Sequence, residues 1–277
     1  MLKSVDWLKA HLSDEHISIV DCRFQLQNPD YGQMEFEKGH IPGAVFIDLE
    51  KDMSGLVQEH GGRHPLPDME VFRKRLELAG ISSDQTIVAY DNGECTYASR
   101  FVWMLHYMGH TDCYCLDGGL SAWLKKGYPI GTEAPAPETG QLNTELQPAL
   151  LASYDEVKNW SEDRNSNIIL VDSRDSRRYA GIEEPIDRIP GHIPGAVNYP
   201  FTDGFTDHSF LSSADMKKRF QQLNPEKEII VYCGSGVTAA PNFIALKHAG
   251  YEHVKLYIGS YSDWVSYVEN PVEKNED

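Results

Sequence analysis

Short apolar runs alternate along the chain with stretches of helical period. Ile17 to Asp21, Thr86 to Tyr90 and Asp112 to Leu116 predict strands in the N-terminal half, as do Ile168 to Asp172, Glu228 to Tyr232 and His253 to Tyr257 in the C-terminal half. Runs this short and continuous, separated by helical patterns, indicate parallel strands buried on both faces. Helices are predicted over Ser4 to His11, Met69 to Ala79 and Ala98 to Tyr107, then over Ser153 to Trp160, Ser213 to Leu223 and Ala239 to Ala249, with a closing helix at Trp123 and at Trp264. The predicted fold class is α/β, with each half a central parallel sheet carrying helices on both faces.

The two halves are copies. Gly39 to Val45 (GHIPGAV) recurs letter for letter from Gly191 to Val197, and Val20-Asp21-Cys22-Arg23 is matched by Val171-Asp172-Ser173-Arg174. Ile87 to Tyr90 and Ser121-Ala122-Trp123 find their counterparts in Ile229 to Tyr232 and Ser262-Asp263-Trp264. Collinear matches of this kind mark an internal repeat. The first copy is longer between Val45 and Ile87, where Lys51 to Pro67 is punctuated by Gly and Pro and reads as a loop. Pro129 to Pro148 lacks a helical period and reads as a surface linker. The expected domains are 1–131 and 149–277, joined by 132–148.

Composition narrows the function. The 277 residues carry 25 basic and 42 acidic side chains, a net charge of −17, which disfavours nucleic acid and anionic membranes as partners. No run approaches the ~18 apolar residues of a spanning helix, and the N-terminus has no secretory pattern, so a cytoplasmic location is expected. Five cysteines at irregular spacing argue for reduced thiols rather than a disulfide framework.

In a parallel α/β sheet the chemistry sits at the carboxyl ends of the strands. After Glu228 to Tyr232 comes Cys233-Gly234-Ser235-Gly236-Val237-Thr238-Ala239. Two glycines flanking one residue let successive amides converge on a point, and the following helix adds its positive end. A cysteine at the mouth of that cradle is expected to be a thiolate at neutral pH; otherwise Cys233 is a small buried hydrophobe ending a strand. The first copy has Asp91 at this position, which cannot act as a sulfur nucleophile, so the second copy is expected to be the competent one. Cys113 and Cys115 alternate across a strand, Cys22 and Cys95 have no glycine cradle, and no zinc spacing, Walker loop or dinucleotide glycine pattern is present, so neither metal nor cofactor is implied.

The tandem repeat, the duplicated His-Ile-Pro-Gly-Ala box and the Cys-Gly-Ser-Gly-Val-Thr loop together resemble the two-domain rhodanese family of sulfurtransferases. The resemblance implies that Cys233 takes a sulfur atom from a small anionic donor, becomes a persulfide, and passes the outer sulfur to cyanide or to a thiol such as thioredoxin or a small thiol. Gly234, Gly236, Val237 and Thr238 would form the cradle. Members that use thiosulfate carry basic residues after the cysteine; Gly234-Ser235-Gly236 is more similar to the 3-mercaptopyruvate sulfurtransferases. In those, two arginines bind the donor's carboxylate and carbonyl, and Arg178 and Arg188 match them by position. Arginine's planar fork suits a carboxylate; alternatively both are ion-paired with Asp175, Glu183, Glu184 or Asp187. The family's serine relay would consist of Ser235, His64 and an acid, Glu50 or nearby Asp48, the last two elements contributed by the first copy. Histidine suits proton shuttling at neutral pH. His40 and His192, in the duplicated box, and Arg23 and Arg174, after the repeated Asp, are expected to be structural.

Other classes remain open. A cysteine phosphatase needs Arg six positions after its nucleophile, and Ala239 stands there. A non-catalytic sulfur-relay module would receive sulfur from a protein partner. One active cysteine in two like domains fits a monomer.

Overall fold

The computed structural model describes residues 1–133, 135–163 and 167–275. They fall into two compact units. The first comprises Met1–Gly55, Leu66–Gln147 and Thr206–Phe210, and the second Leu56–Pro65, Pro148–Phe205 and Leu211–Asp277.

In the first unit, strands β1 (Leu2–Lys3), β2 (Ile17–Asp21), β3 (Ala44–Phe46), β4 (Thr86–Tyr90) and β5 (Cys113–Leu116) form one sheet in the order β1-β5-β4-β2-β3. All its pairs are parallel. Helices α1 (Val5–Ala10), α2 (Tyr31–Lys38), α3 (Met69–Leu78) and α4 (Thr96–Tyr107) connect the strands, and α5 (Gly119–Lys125) follows the last of them. Ser4 and Asp68 cap α1 and α3 by accepting bonds from amides of their first turns. Val5, Leu8, Ile19, Val88, Leu116 and Trp123 are among the buried residues of its core.

The second unit repeats the plan with β6 (Ile168–Asp172), β7 (Val197–Asn198), β10 (Glu228–Tyr232) and β11 (Val254–Leu256) in the parallel order β11-β10-β6-β7. Its helices are α6 (Tyr154–Asp163), α7 (Ser176–Tyr179), α8 (Ser213–Arg219), α9 (Ala240–Ala249) and α10 (Ser260–Trp264). Trp160, Leu170, Ile193, Ile230, Tyr257 and Trp264 are among its core residues. A two-stranded ladder, β8 (Phe205–Thr206) with β9 (Ser209–Phe210), precedes α8.

The repeat is kept down to single bonds. Asp21 receives Arg23 Nε at 3.0 and 2.9 Å, and Asp172 receives Arg174 Nε at 3.1 Å on both oxygens. Each arginine also reaches the glycine before the box histidine, Gly39 O at 2.8 Å and Gly191 O at 2.7 Å. Tyr90 and Tyr232 accept the amides of Ile41 and Ile193. His40 and His192 bond the carbonyls of Phe36 and Tyr179 and stack on those rings. Trp123 and Trp264 donate to Pro129 O and Pro271 O. The letters shared by the two copies are therefore the bracing that ties each box to its sheet.

Two segments part from the sequence repeat. Leu56–Pro65, within the long loop of the first copy, belongs to the second unit, and Thr206–Phe210 to the first. The stretch read as a linker runs along the first unit: Gln141 and Asn143 amides donate to Ser82 Oγ and Ser83 Oγ, and Gln147 N to Tyr107 O.

Candidate active site

The site grows from the carboxyl end of β10. Cys233 leaves the strand 1% exposed, and the loop from Gly234 to Val237 is buried with it. Gly236 takes φ +74°, and a Cβ there would stand 2.4 Å from Ile258 O, so this turn requires glycine. The loop is held from outside by the turn into α10. Tyr261 N donates to Cys233 O and Ser262 N to Gly234 O, both at 2.9 Å. The Cys233 amide donates to Ser260 Oγ at 3.1 Å, and Ser260 itself takes φ +56°. The carbonyls of the loop are thus turned outward into α10. The α9 N-terminus follows, one residue later than the expected Ala239 start.

Leu56–Pro65 brings a second set of groups to the same place. Gly61 N donates to Asp263 Oδ1 at 2.7 Å, and Arg63 N to Ser262 Oγ at 3.1 Å. Gly62, at φ +83°, passes so close to Gly259 O that a Cβ would lie 2.4 Å from it. This docking puts buried His64 against the cysteine loop, with its Nδ1 hydrogen-bonded to Ser235 Oγ at 2.8 Å. Ser235 is 7% exposed.

Arginines and carboxylates surround the loop. Arg178 donates through Nε to both oxygens of Glu184 at 3.1 Å, and through Nη2 to Glu184 Oε1 at 2.7 Å and Asp187 Oδ2 at 2.9 Å. Arg63 Nη1 is bonded to the other Asp187 oxygen. Arg174 lies over the Tyr261 ring and donates to Glu184 Oε2 at 3.1 Å. Burial pushes the Asp187 carboxyl above its ordinary value, against the pull of Arg63 and Arg178. For Glu184 burial is outweighed by Arg178 and by the amides of Asp187 and Ile186, and its carboxyl lies below the ordinary value.

The candidates read from sequence divide accordingly. Cys233, Gly234, Ser235, Gly236, Val237, His64 and Arg178 come together, and Thr238 is half-buried in the turn before α9. Arg188 is exposed and its Nη2 donates to Val265 O at 2.7 Å, the carbonyl that ends α10. Glu50 lies in the first unit with its side chain exposed, and its amide donates to Asp48 Oδ1 at 2.8 Å. Arg63, the residue before His64, stands at the loop itself.

The first unit shows what the corresponding loop holds. Asp91 Oδ1 accepts the amides of Gly93 and Cys95, both at 3.0 Å, and Oδ2 accepts those of Tyr97 at 2.9 Å and Ala98 at 3.3 Å. Leu120 N and Ser121 N brace Asp91 O and Asn92 O as Tyr261 and Ser262 brace Cys233 and Gly234. Burial pushes the Asp91 carboxyl up, and the four amides pull against it. An anion fills the cradle of the first copy from within.

A family model for the rhodanese-like domain matches residues 4–126 and again 153–267. The chain belongs to the rhodanese family. A Pseudomonas aeruginosa rhodanese relative named "Probable 3-mercaptopyruvate sulfurtransferase" is 38% identical, covering 98% of this chain and 97% of its own. The 3-mercaptopyruvate sulfurtransferase of Escherichia coli is 33% identical across 97% and 96% of the two chains. Its fold relative in crystal form, SseA from Escherichia coli, described as a 3-mercaptopyruvate sulfotransferase with the rhodanese fold, superposes with a TM-score of 0.83 at 31% identity, over 94% of this chain and 98% of its own. Among the described residues no cluster of His, Cys, Asp or Glu could hold a metal ion, and no helix is long and apolar enough to cross a membrane.

Proposed function

We propose that this rhodanese moves a sulfur atom from 3-mercaptopyruvate through a persulfide on Cys233 to cyanide or a thiol acceptor, releasing pyruvate. The observation that carries the reading is the cradle itself: the loop that seats the Asp91 carboxylate in one copy surrounds a cysteine in the other. A loop of this kind would offer backbone donors to the anionic outer sulfur of a persulfide.

In the first half-reaction the Cys233 thiolate attacks the donor's sulfur. The S–S bond forms as the donor's C–S bond breaks, and the electron pair leaves as the enolate of pyruvate, which takes up a proton. The Ser235 and His64 pair supplies a hydrogen bond to the departing keto acid and a path for that proton. Arg178 supplies positive charge for an anionic donor on a chain that is acidic overall. In the second half-reaction the acceptor's nucleophile attacks the outer sulfur, and the electron pair of the S–S bond returns to Cys233. No role falls to exposed Glu50.

The test is pyruvate release from 3-mercaptopyruvate with cyanide as acceptor, run beside thiocyanate formation from thiosulfate. Pyruvate release that Cys233→Ser abolishes is the expected result. Transfer from thiosulfate alone would reassign the donor, and transfer from neither would leave a sulfur-relay module.

A further inference from the structure

We infer that Arg63 is the second guanidinium of the donor's carboxylate site, acting beside Arg178, a place that sequence position alone gave to Arg188. The inference rests on the proposed use of 3-mercaptopyruvate. Both cations stand against the nucleophile's own peptide: a Cβ on Gly234 would lie 2.8 Å from Arg63 Nη2 and 3.5 Å from Arg178 Nη2. They also share one carboxylate. Arg63 Nη1 takes one oxygen of Asp187 and Arg178 Nη2 takes the other at 2.9 Å. The spacing of the two guanidiniums is therefore one that a single carboxylate can bridge, beside the sulfur that must meet the donor.

Arg63 has donor capacity left over. Its Nε is buried and has no hydrogen-bond partner among the described residues. Arg174, by contrast, is fully engaged by Asp172, Glu184 and Gly191 O and serves the frame. The placement of Arg63 is rigid, since its amide is held by Ser262 Oγ and the neighbouring His64 by Ser235. Arg188 points elsewhere, spending Nη2 on Val265 O. A keto acid arriving at Gly234 thus meets guanidinium nitrogens of both arginines, and a planar fork suits a carboxylate better than a compact tetrahedral anion.

The experiment measures KM and kcat for 3-mercaptopyruvate and the inhibition constant of α-ketobutyrate, a keto acid without sulfur, in wild type, Arg63→Ala, Arg63→Lys and Arg188→Ala, with thermal melts on each. Loss of a charge-assisted pair predicts that Arg63→Ala raises KM about 10- to 100-fold and the α-ketobutyrate constant in parallel, with kcat changed far less. Arg63→Lys keeps a cation opposite Asp187, so the segment stays docked, and its KM should lie between the two. Arg177→Ala, an exposed residue paired with Glu183, controls for the loss of one positive charge. Unchanged constants in both Arg63 variants, or a rise confined to Arg188→Ala, would overturn the assignment while pyruvate release by wild type kept the donor reading intact. Absence of pyruvate release by wild type would overturn both.

Discussion

His64 Nδ1 and Ser235 Oγ are 2.8 Å apart and both buried, although 171 residues separate them in the chain. The pair exists because Leu56–Pro65 leaves its own copy of the repeat and docks on the turn before α10. If it handles the proton of the departing keto acid, Ser235→Ala and His64→Gln each lower kcat for pyruvate release by about 10²-fold or more. Discharge of a preformed persulfide by cyanide needs no such proton and should change little. Equal loss in both half-reactions, measured by stopped-flow, would contradict the role.

Asp91 is the mirror of that chemistry. Its carboxylate satisfies four amides of the first unit's loop. Asp91→Ala leaves buried donors unpaired and should destabilise the protein by about 2 to 4 kcal/mol, seen in denaturant melts. Pyruvate release below the melting range should stay close to wild type. A large loss of turnover in a folded variant would show that the first copy takes part in the reaction.

Gly236→Ala tests the loop's shape. The residue sits at φ +74° with Ile258 O 2.4 Å from any added Cβ, and that oxygen is backbone. The loop must move, and movement of about 1 Å at a nucleophile can cost about 10²-fold in rate. Retention of full activity would mean that the cradle is softer than its bracing indicates.

The Glu184 carboxyl gives a pH prediction. Its folded value lies below the ordinary 4.5, despite burial, because Arg178 and two amides favour the ionised form. A carboxyl lowered by folding stabilises the native state above its unfolded value and loses that contribution as pH falls through the folded one. Glu184→Gln should therefore lower the melting temperature at neutral pH, and the gap from wild type should narrow in acid. A gap independent of pH would contradict the ion-pair account.

Much of this was legible in the letters. Strands β2, β4, β6 and β10 match the apolar runs residue for residue, because each is central in its sheet and buried on both faces. The edge strands β1, β3 and β7 were missed: two or three residues carry no period. Helix α2 was missed too, since only Gly32 and Phe36 of its eight residues are buried. Cys233, Ser235, His64 and Arg178 were visible as loop chemistry or as resemblance. Arg63 was not, because its meaning lies in Asp187, 124 residues away, and in a docking that no local pattern announces.

The central claim is that one cysteine of five carries the sulfur. Peptide mass spectrometry after brief incubation with 3-mercaptopyruvate, without acceptor, tests it most directly. The account predicts the mass of one added sulfur on Cys233, formed with one equivalent of pyruvate and removed by cyanide, with Cys22, Cys95, Cys113 and Cys115 unmodified. Added sulfur on another cysteine, or pyruvate formed without a persulfide on Cys233, would contradict it.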